Sequence, residues 1–228
     1  VEKLYELNFN KTLSSLKPFE FADQVISKGL GLRHLVVGED FCFGKGRSGT
    51  VKDLISLGSS MGFEVTIADL METETGQVSS TSIRKALAEG RPKDAAKQLG
   101  HWHRIEGVVI GGEQRGRELG YPTANMSLDG LHLPNLGVYA VLVDVLNGEH
   151  VGCYNGVASL GVRPMFGENT PNLETFIFDF SGDLYGATLS VALVDFMRPE
   201  IKFDSLEKLI VQMDQDSLKA KELLKSLK

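Results

Sequence analysis

The sequence predicts a chain of two parts, an α/β half followed by an antiparallel β-barrel that ends in a helix. In residues 1–100, strand-like apolar runs alternate with helical periodicity, which is typical of a parallel sheet. From about residue 104, strand-like runs follow one another with glycine and proline turns between them, which is typical of a barrel or sandwich. Near the C-terminus, Leu206, Leu209, Ile210 and Met213 line one face of a predicted helix.

The first half contains two predicted strands and two predicted helices. Leu35–Val37 and Glu64–Leu70 are apolar runs with the length and composition of strands. Between them, apolar residues at 51, 54, 55 and 57 have helical spacing. The polar triplet Ser79–Thr81 is a capping sequence for a second helix, Ile83–Glu89, with Gly90 as its stop.

The second half contains five strand-like runs bounded by turn residues. They are Arg104–Ile110, Val138–Val145, Val151–Ala158, Leu173–Phe180 and Leu189–Phe196. The final helix is predicted to begin at Asp204, because Glu207 three residues later completes a capping box. These changes of pattern predict two domains, residues 1–100 and 101–228.

Composition and charge exclude several classes of protein. The hydrophobic content of 42% and charged content of 24% are ordinary globular values, which excludes a disordered chain. No apolar run approaches the roughly 18 residues that a membrane span needs, and the first residues lack a signal-peptide pattern. We therefore expect a cytoplasmic protein without a membrane partner. The net charge of −6 arises entirely in residues 104–228, which argues against a nucleic-acid surface.

Residues 44–49 fit the pattern G-x-G-x-x-G, and Asp69 follows twenty residues later. In a dinucleotide site the first glycine follows its strand directly, so that the backbone can turn beneath the pyrophosphate. Here residues 39–43 separate Gly44 from the strand. The same stretch has one residue too many between Gly38 and Gly44 for a P-loop. We reject both interpretations.

The segment with the strongest chemical content is GGEQRGRELGYPTAN, residues 111–125. Its glycines would let the backbone approach a bulky anion, and Arg115 and Arg117 could balance the charge of that anion. In an extended segment Thr123 and Asn125 face the same side, where their oxygens could bind Mg²⁺. Taken alone, the segment fits a glycine-rich hairpin loop at least as well.

Further motifs follow in order: Gly137-Val138-Tyr139, GVASLGVRP at 156–164, Glu174 in LETFIFDF, and Arg198-Pro199-Glu200. Together, residues 104–228 closely resemble the riboflavin kinase family, for which the P-T-A-N element is highly specific. In the first half, VVGEDFCFG (36–44) and SSTSIR (79–84) resemble the nucleotidyltransferase module of bacterial FAD synthetase, in which this kinase is joined to an FMN adenylyltransferase. The resemblance implies an incomplete Rossmann-like first domain and a kinase barrel with a C-terminal helix.

The resemblance implies a role for individual residues of the barrel. Thr123 and Asn125 match the ligands of the Mg²⁺–nucleotide. Glu174 matches the carboxylate that would accept the proton of the ribityl 5′-hydroxyl as this attacks the γ-phosphate of ATP. Arg198 and Glu200 match flavin-binding positions. The implied ATP-binding residues are Gly111, Gly112, Gly116, Arg117, Pro122, Thr123 and Asn125.

Two residues depart from the kinase pattern. Met165 stands where threonine is usual, and Phe176 stands where histidine is common. We expect these changes to alter the packing of the flavin loop and to leave the Mg²⁺ and base positions untouched.

For adenylyl transfer, the resemblance implies nucleotide- or flavin-binding roles for Asp40, Phe41, Ser80, Thr81 and Arg84. A Ser-Ser-Thr helix start presents N–H groups and hydroxyls to phosphates, although it also serves as a plain N-cap. The family's H-x-G-H element does not occur in the sequence, which begins with valine. We therefore expect the adenylyltransferase domain to lack its N-terminal part here.

The sequence thus predicts an enzyme that makes FMN from riboflavin and Mg-ATP and, in an intact parent, FAD from FMN and ATP. One alternative is a monofunctional riboflavin kinase with a degenerate N-terminal scaffold. Another is a non-catalytic flavin or nucleotide sensor, although a sensor has no need of a base. The expected partners are small molecules, and a homo-oligomer is compatible with the sequence.

Overall fold

The structure, a computed structural model, describes residues 2–73, 76–112, 116, 119–165 and 168–227. The chain forms two compact units that divide between Gln77 and Val78. We call these the first unit and the barrel unit. No helix among the described residues is both long and apolar enough to cross a lipid bilayer.

The first unit is a small α/β arrangement around a parallel strand pair. Its strands run in register from His34 opposite Glu64 to Gly38 opposite Ala68, which confirms the predicted parallel sheet. The second strand ends two residues before the predicted Leu70. In chain order the elements are α1 (Lys11–Ser14), α2 (Pro18–Phe21), a π-helical segment (Ala22–Gly29), β1 (His34–Gly38), a 3₁₀ turn (Lys45–Arg47), α3 (Val51–Met61), β2 (Glu64–Ala68), β3 (Glu72–Thr73) and β4 (Gly76–Gln77).

The core of the first unit holds the loop after β1 against α3. Phe43 is buried in this core, and its ring lies 5.8 Å from that of Phe41. Gly49 lies beside Phe43, where a Cβ would come within 2.9 Å of the Phe43 ring. The glycines of residues 44–49 therefore serve a loop packed on an aromatic side chain, in agreement with our rejection of a dinucleotide fingerprint.

The barrel unit contains a six-stranded antiparallel sheet in the order β5-β10-β7-β8-β9-β6. Ile110, two residues beyond β5, bridges to Asn125 on β6, so that the two edges of the sheet meet. Buried apolar side chains such as Tyr139 and Leu173 fill the interior. The strands are β5 (Arg104–Val108), β6 (Thr123–Ser127), β7 (Gly137–Val145), β8 (Gly152–Met165), β9 (Glu168–Ile177) and β10 (Thr188–Arg198).

The predicted antiparallel barrel is confirmed, with different strand limits. β5 ends at Val108 because the chain then crosses to β6. β8 continues past Ala158 to Met165, because backbone pairing with β9 persists where the apolar alternation has stopped. The same pairing starts β9 at Glu168, before the predicted Leu173. The segment Thr123–Ser127 is a separate strand paired with β9, in agreement with the extended conformation that we predicted for Thr123 and Asn125.

The helices of the barrel unit whose bounds lie within the described residues are α4 (Ser80–Ala88), α5 (Pro92–Leu99) and α6 (Leu206–Lys225). Ser79 caps α4 by accepting a hydrogen bond from the Ser82 N–H at 3.1 Å, which confirms the predicted cap. Helix α5 is an addition to the predicted elements, and Pro92 occupies its first position.

The predicted start of the last helix is wrong by one residue. Ser205 is the N-cap of α6, and its Oγ accepts from the Lys208 N–H at 3.3 Å. The Asp204 carboxylate pairs with the Lys208 ammonium at 3.2 Å and makes no cap. Along its buried face, α6 packs Ala220 and Leu224 against the outside of the barrel.

Helices α4 and α5 belong to the same compact unit as the barrel. The Asn135 N–H donates to the Leu87 carbonyl at 2.9 Å, and the Lys93 ammonium pairs with Asp195 on β10. The predicted domain boundary at residue 100 stays a prediction, while the compact units divide 23 residues earlier, after Gln77.

Candidate active site

The predicted catalytic and metal-binding residues lie together on strands β6 and β9. Thr123 pairs directly with Phe176, and Asn125 pairs directly with Glu174. Directly opposed residues project from the same face of a sheet, so all four side chains share one face. The Asn172 amide donates to Glu174 Oε1 at 3.2 Å and helps to fix the carboxylate.

A first cavity of about 290 Å³ lies beside β6. Its other walls include the apolar residues Val109 and Ile177 and the loop 180–185. Gly111 does not line it, and Arg117 lies outside the described residues. Five of the predicted ATP-binding residues do line it: Gly112, Gly116, Pro122, Thr123 and Asn125.

Close backbone approach explains the two lining glycines. A Cβ on Gly112 would lie 2.6 Å from the Asn125 amide nitrogen, and one on Gly116 would collide with the Tyr121 carbonyl. The Tyr121 N–H donates to the Gly116 carbonyl at 2.8 Å and closes a turn there. The Asn125 nitrogen donates to the Thr123 carbonyl at 3.1 Å. Because the nitrogen is used in this way, the amide oxygen is the atom that would serve a cation.

A second cavity, of about 320 Å³, is lined by the predicted catalytic residue Glu174 and the predicted flavin-binding residues Arg198 and Glu200. Thr123 lines this cavity as well as the first one. The two cavities therefore adjoin at Thr123 of β6. Helix α6 contributes Leu209, Met213, Asp216 and Ser217 to the second cavity.

Arg198 is held in place by an ion pair with Asp216 of α6. Its Nη2 lies 2.6 Å from Asp216 Oδ2, and its Nε donates to both carboxylate oxygens at 3.1 and 3.0 Å. The Gln212 amide donates to Asp216 Oδ1 at 3.0 Å. The two charged side chains are only 17% and 8% exposed, so that little water screens the pair.

Asp216 was missed by sequence reasoning, although a signal for it exists. It lies three residues after Met213 and four before Ala220, on the face of α6 that is otherwise apolar. A lone carboxylate on an apolar helical face needs a buried partner, because an unpaired buried charge is costly. The partner is the arginine of the R-P-E motif.

Tyr121 is a second residue that the sequence predictions missed. Its hydroxyl donates a hydrogen bond to Asp214, and its ring lies 4.9 Å from that of Phe176. Burial, followed by the contact with the Asp214 carboxylate, raises the pKa of Tyr121 to about 12. Phe176 lies opposite Thr123, so this departure from the kinase pattern is closer to the metal position than we expected.

The Glu200 carboxylate lies over β8, where Gly161 makes room for it. A Cβ on Gly161 would collide with Glu200 Oε1. This close approach explains a glycine within the GVASLGVRP motif. The side chain of Met165, the other departure from the kinase pattern, lies outside the described residues.

The residues predicted for adenylyl transfer are divided between the compact units. Asp40 is exposed and Phe41 is half-buried in the turn after β1 of the first unit. Ser80, Thr81 and Arg84 are exposed on α4 of the barrel unit, where Arg84 Nη2 donates to Ser80 Oγ at 3.3 Å. The structure thus brings Ser80 and Arg84 together within one helical turn.

Comparison with known proteins covers both parts of the chain. The family model described as riboflavin kinase matches residues 99–224, and the one described as FAD synthetase matches residues 1–82. The bifunctional riboflavin kinase/FMN adenylyltransferase of Pseudomonas fluorescens is 40% identical, over 98% of this chain and 71% of the relative. The protein of the same name from Bacillus subtilis is 38% identical, over 96% of this chain and 69% of the relative.

A solved structure described as a macrolide-efflux protein from Streptococcus pneumoniae also resembles this chain. It aligns with a TM-score of 0.79 and 38% identity, over 95% of this chain and 68% of that one. These matches confirm the predicted resemblance to riboflavin kinase and FAD synthetase. The chain belongs to the family of bifunctional riboflavin kinase/FMN adenylyltransferases.

Proposed function

We propose that the barrel unit transfers the γ-phosphoryl group of ATP to the 5′-hydroxyl of riboflavin, giving FMN and ADP. The observation that carries this proposal is that the two cavities adjoin at Thr123 of β6, which lines both of them. Phosphoryl transfer requires two substrates to meet end to end with their reacting oxygens in line. A shared wall with a carboxylate beside it suits that requirement.

In this proposal the nucleotide occupies the first cavity and riboflavin occupies the second. Glu174 accepts the proton of the ribityl 5′-hydroxyl while the hydroxyl oxygen bonds to the γ-phosphorus. The bond between that phosphorus and the β–γ bridging oxygen breaks, and ADP leaves with the electron pair. Because Glu174 lies opposite Asn125 on the same face, base and phosphate would be neighbours.

The residues present fit a magnesium ion accompanying the nucleotide. Thr123 and Asn125 offer a hydroxyl and an amide oxygen, which are hard ligands of the kind that Mg²⁺ prefers. Among the described residues there is no cluster of three or more His, Cys, Asp or Glu side chains, so substrate phosphates and water would supply most ligands. Bound there, Mg²⁺ would neutralise negative charge on the phosphates.

The second cavity suits a flavin, because it combines an aromatic wall with fixed charges. Phe176 and Met213 give it apolar surface, while Arg198 and Glu200 place opposite charges at one end. Flat heteroaromatic ligands bind in pockets of this composition, where a few polar groups set their orientation. We assign Arg198 and Glu200 to flavin binding on this ground.

We further propose that FMN adenylylation to FAD, with pyrophosphate as the other product, uses the part of the chain that matches FAD synthetase. Asp40 and Phe41 after β1, and Ser80, Thr81 and Arg84 at the start of α4, are its candidate nucleotide- or flavin-binding residues. The hydroxyls and N–H groups at the start of α4 suit an anion. A cytoplasmic location, where ATP is available, belongs to the same proposal.

One assay tests these activities separately. The full chain is incubated with riboflavin and Mg-ATP, and FMN and FAD are resolved by chromatography; a parallel reaction starts from FMN. We expect FMN from the first reaction, and its absence would overturn the kinase assignment. FMN without FAD would favour the degenerate-scaffold alternative. Tight flavin binding without release of ADP would favour the sensor, which no comparison supports.

A further inference from the structure

Thr175 of β9 is a buried polar residue to which the proposed mechanism gives no role. It is 0% exposed, and its hydroxyl has no hydrogen-bond partner among the residues that the structure describes. Buried hydroxyls in folded proteins are nearly always hydrogen-bonded, because water has been removed from them. The residue nevertheless lines the first cavity, so a ligand in that cavity could supply the partner.

Its position in the strand separates Thr175 from the catalytic face. Glu174 and Phe176 line the second cavity, whereas Thr175 and Ile177 line the first, as alternation along a strand requires. The neighbour of Thr175 on β6 is Ala124, which is buried and also lines the first cavity. A small side chain at this level leaves space beside the hydroxyl.

The surroundings of Thr175 suit a nucleoside better than a phosphate. Val109 and Ile177 are buried apolar residues of the same cavity, and Leu184 adds a further apolar side chain. The glycines at 112 and 116 and the oxygens of Thr123 form the part of the cavity suited to phosphates. Apolar side chains with a few polar groups among them are the arrangement that orients a flat, weakly charged group.

Building on the kinase function proposed above, we propose that the Thr175 hydroxyl hydrogen-bonds the nucleoside part of the nucleotide in the first cavity. Thr175 is then a binding residue that positions ATP from the face of β9 opposite to Glu174. The contact contributes to the affinity for the nucleotide through its nucleoside part and not through its phosphates.

The test compares Thr175→Val, which keeps the shape and removes the hydroxyl, with Thr175→Ser, which keeps the hydroxyl. Titration calorimetry on the full chain measures Kd for Mg-ADP and for Mg-tripolyphosphate. We expect Thr175→Val to weaken ADP binding about 5- to 10-fold, the value of one hydrogen bond, and to leave tripolyphosphate binding unchanged. Thr175→Ser should bind ADP nearly as the wild type does. KM for ATP should rise in Thr175→Val at unchanged kcat.

A second measurement separates binding from folding. Thr175→Val removes an unpaired buried hydroxyl, so its Tm without ligand should equal or exceed that of the wild type. A lower Tm with unchanged ADP affinity would mean a purely structural residue and would overturn the proposal. Equal weakening of ADP and tripolyphosphate would overturn the assignment to the nucleoside, as would a wild-type chain that does not bind ADP.

These outcomes are distinct from failure of the kinase assignment. If the wild type forms no FMN but Thr175→Val still weakens ADP binding selectively, the kinase function fails and the nucleoside contact stands. If the wild type forms FMN and Thr175→Val matches it in KM and in ADP affinity, the kinase function stands and the nucleoside contact fails.

Discussion

The two cavities that meet at β6 are lined by different kinds of residues. The wall of the first that adjoins β6 is mostly backbone and small residues, with Gly112 and Gly116 placed where no side chain fits. The second is walled by large side chains, with Glu174, Arg198 and Phe176 among them. An added side chain at Gly112 or Gly116 should therefore damage the first cavity, whereas a removed charge should damage the second.

The largest expected effect is that of Glu174→Gln, which removes the carboxylate from the second cavity without changing its size. Loss of a general base typically lowers kcat by about 10²- to 10⁴-fold. The affinity for Mg-ADP should stay essentially unchanged, since the first cavity is untouched. Steady-state FMN formation and ADP calorimetry measure the two effects.

Glu149→Gln is the matched control for this substitution, because Glu149 is exposed and lines neither cavity. It should retain wild-type turnover. Near-normal FMN production by Glu174→Gln would remove Glu174 from the role of base and would leave the second cavity without a proton acceptor.

The next effect concerns the Arg198–Asp216 ion pair. Asp216→Asn leaves the Arg198 guanidinium in a mostly buried place without a full counter-charge. We expect a loss of about 2–3 kcal/mol in the free energy of unfolding, somewhat below the range for a fully buried pair. Riboflavin affinity should fall as well, because Arg198 loses its fixed position. Urea unfolding and riboflavin titration by fluorescence measure the two effects.

Glu222→Gln neutralises an exposed carboxylate on the same helix and serves as the control. A double-mutant cycle with Arg198→Gln isolates the pair, since a shared interaction makes the two losses non-additive. Strictly additive losses would show that Asp216 and Arg198 contribute independently to stability and riboflavin affinity. That result would contradict the positioning role of Asp216.

A smaller effect should follow from filling the first cavity. A Cβ on Gly112 would lie 2.6 Å from the Asn125 amide, so that Gly112→Ala must displace one of the two oxygens assigned to the cation. Overpacking of this kind costs about 1–3 kcal/mol, which we expect as a rise in KM for ATP and in the Mg²⁺ requirement. Mg²⁺ titrations at fixed ATP measure this.

The adjacent glycine is a close control. A Cβ on Gly111 would meet no atom within 4 Å, so Gly111→Ala adds the same methyl group one residue away at no steric cost. If both variants raise KM equally, the effect comes from the stiffness of the loop. Close approach to Asn125 would then not be the cause of the higher KM.

The parts of this site that the sequence could predict are those set by local geometry. Thr123 and Asn125 share a face because side chains alternate along an extended segment. Glu174 and Arg198 came from the resemblance to riboflavin kinase, and the structure places both in one cavity. In each case the motif itself carries the chemistry.

The contacts that could not be predicted cross between distant elements. Asp216 meets Arg198, and Asp214 meets Tyr121, only because α6 docks on the outside of the barrel, a packing that no local pattern encodes. In the sequence, Thr175 is one more residue of a predicted strand. That its buried hydroxyl has no hydrogen-bond partner among the described residues can be seen only in the folded structure. Helix α5 was not predicted, for a local reason: Pro92 follows a helix stop, but proline also suits the first position of a new helix.

The smallest predicted effect is a pH dependence at Tyr121, which lines the second cavity. Its pKa is raised to about 12 in the folded chain, above the usual value of 10, so folding favours the neutral phenol. The stability that this contributes is fully present below pH 10 and is lost as the pH rises through 12.

Tyr121→Phe lacks both the hydrogen bond to Asp214 and the ionisation. It should therefore be less stable than the wild type at pH 8, and the gap should narrow between pH 10 and 12. Urea midpoints across this range measure the gap. Tyr5→Phe, at a 62% exposed tyrosine, is the control for the loss of a phenol elsewhere in the chain. If the gap stayed constant to pH 12, the phenol of Tyr121 would ionise equally easily in the folded and the unfolded chain. Its hydrogen bond to Asp214 would then not help to hold α6 in place.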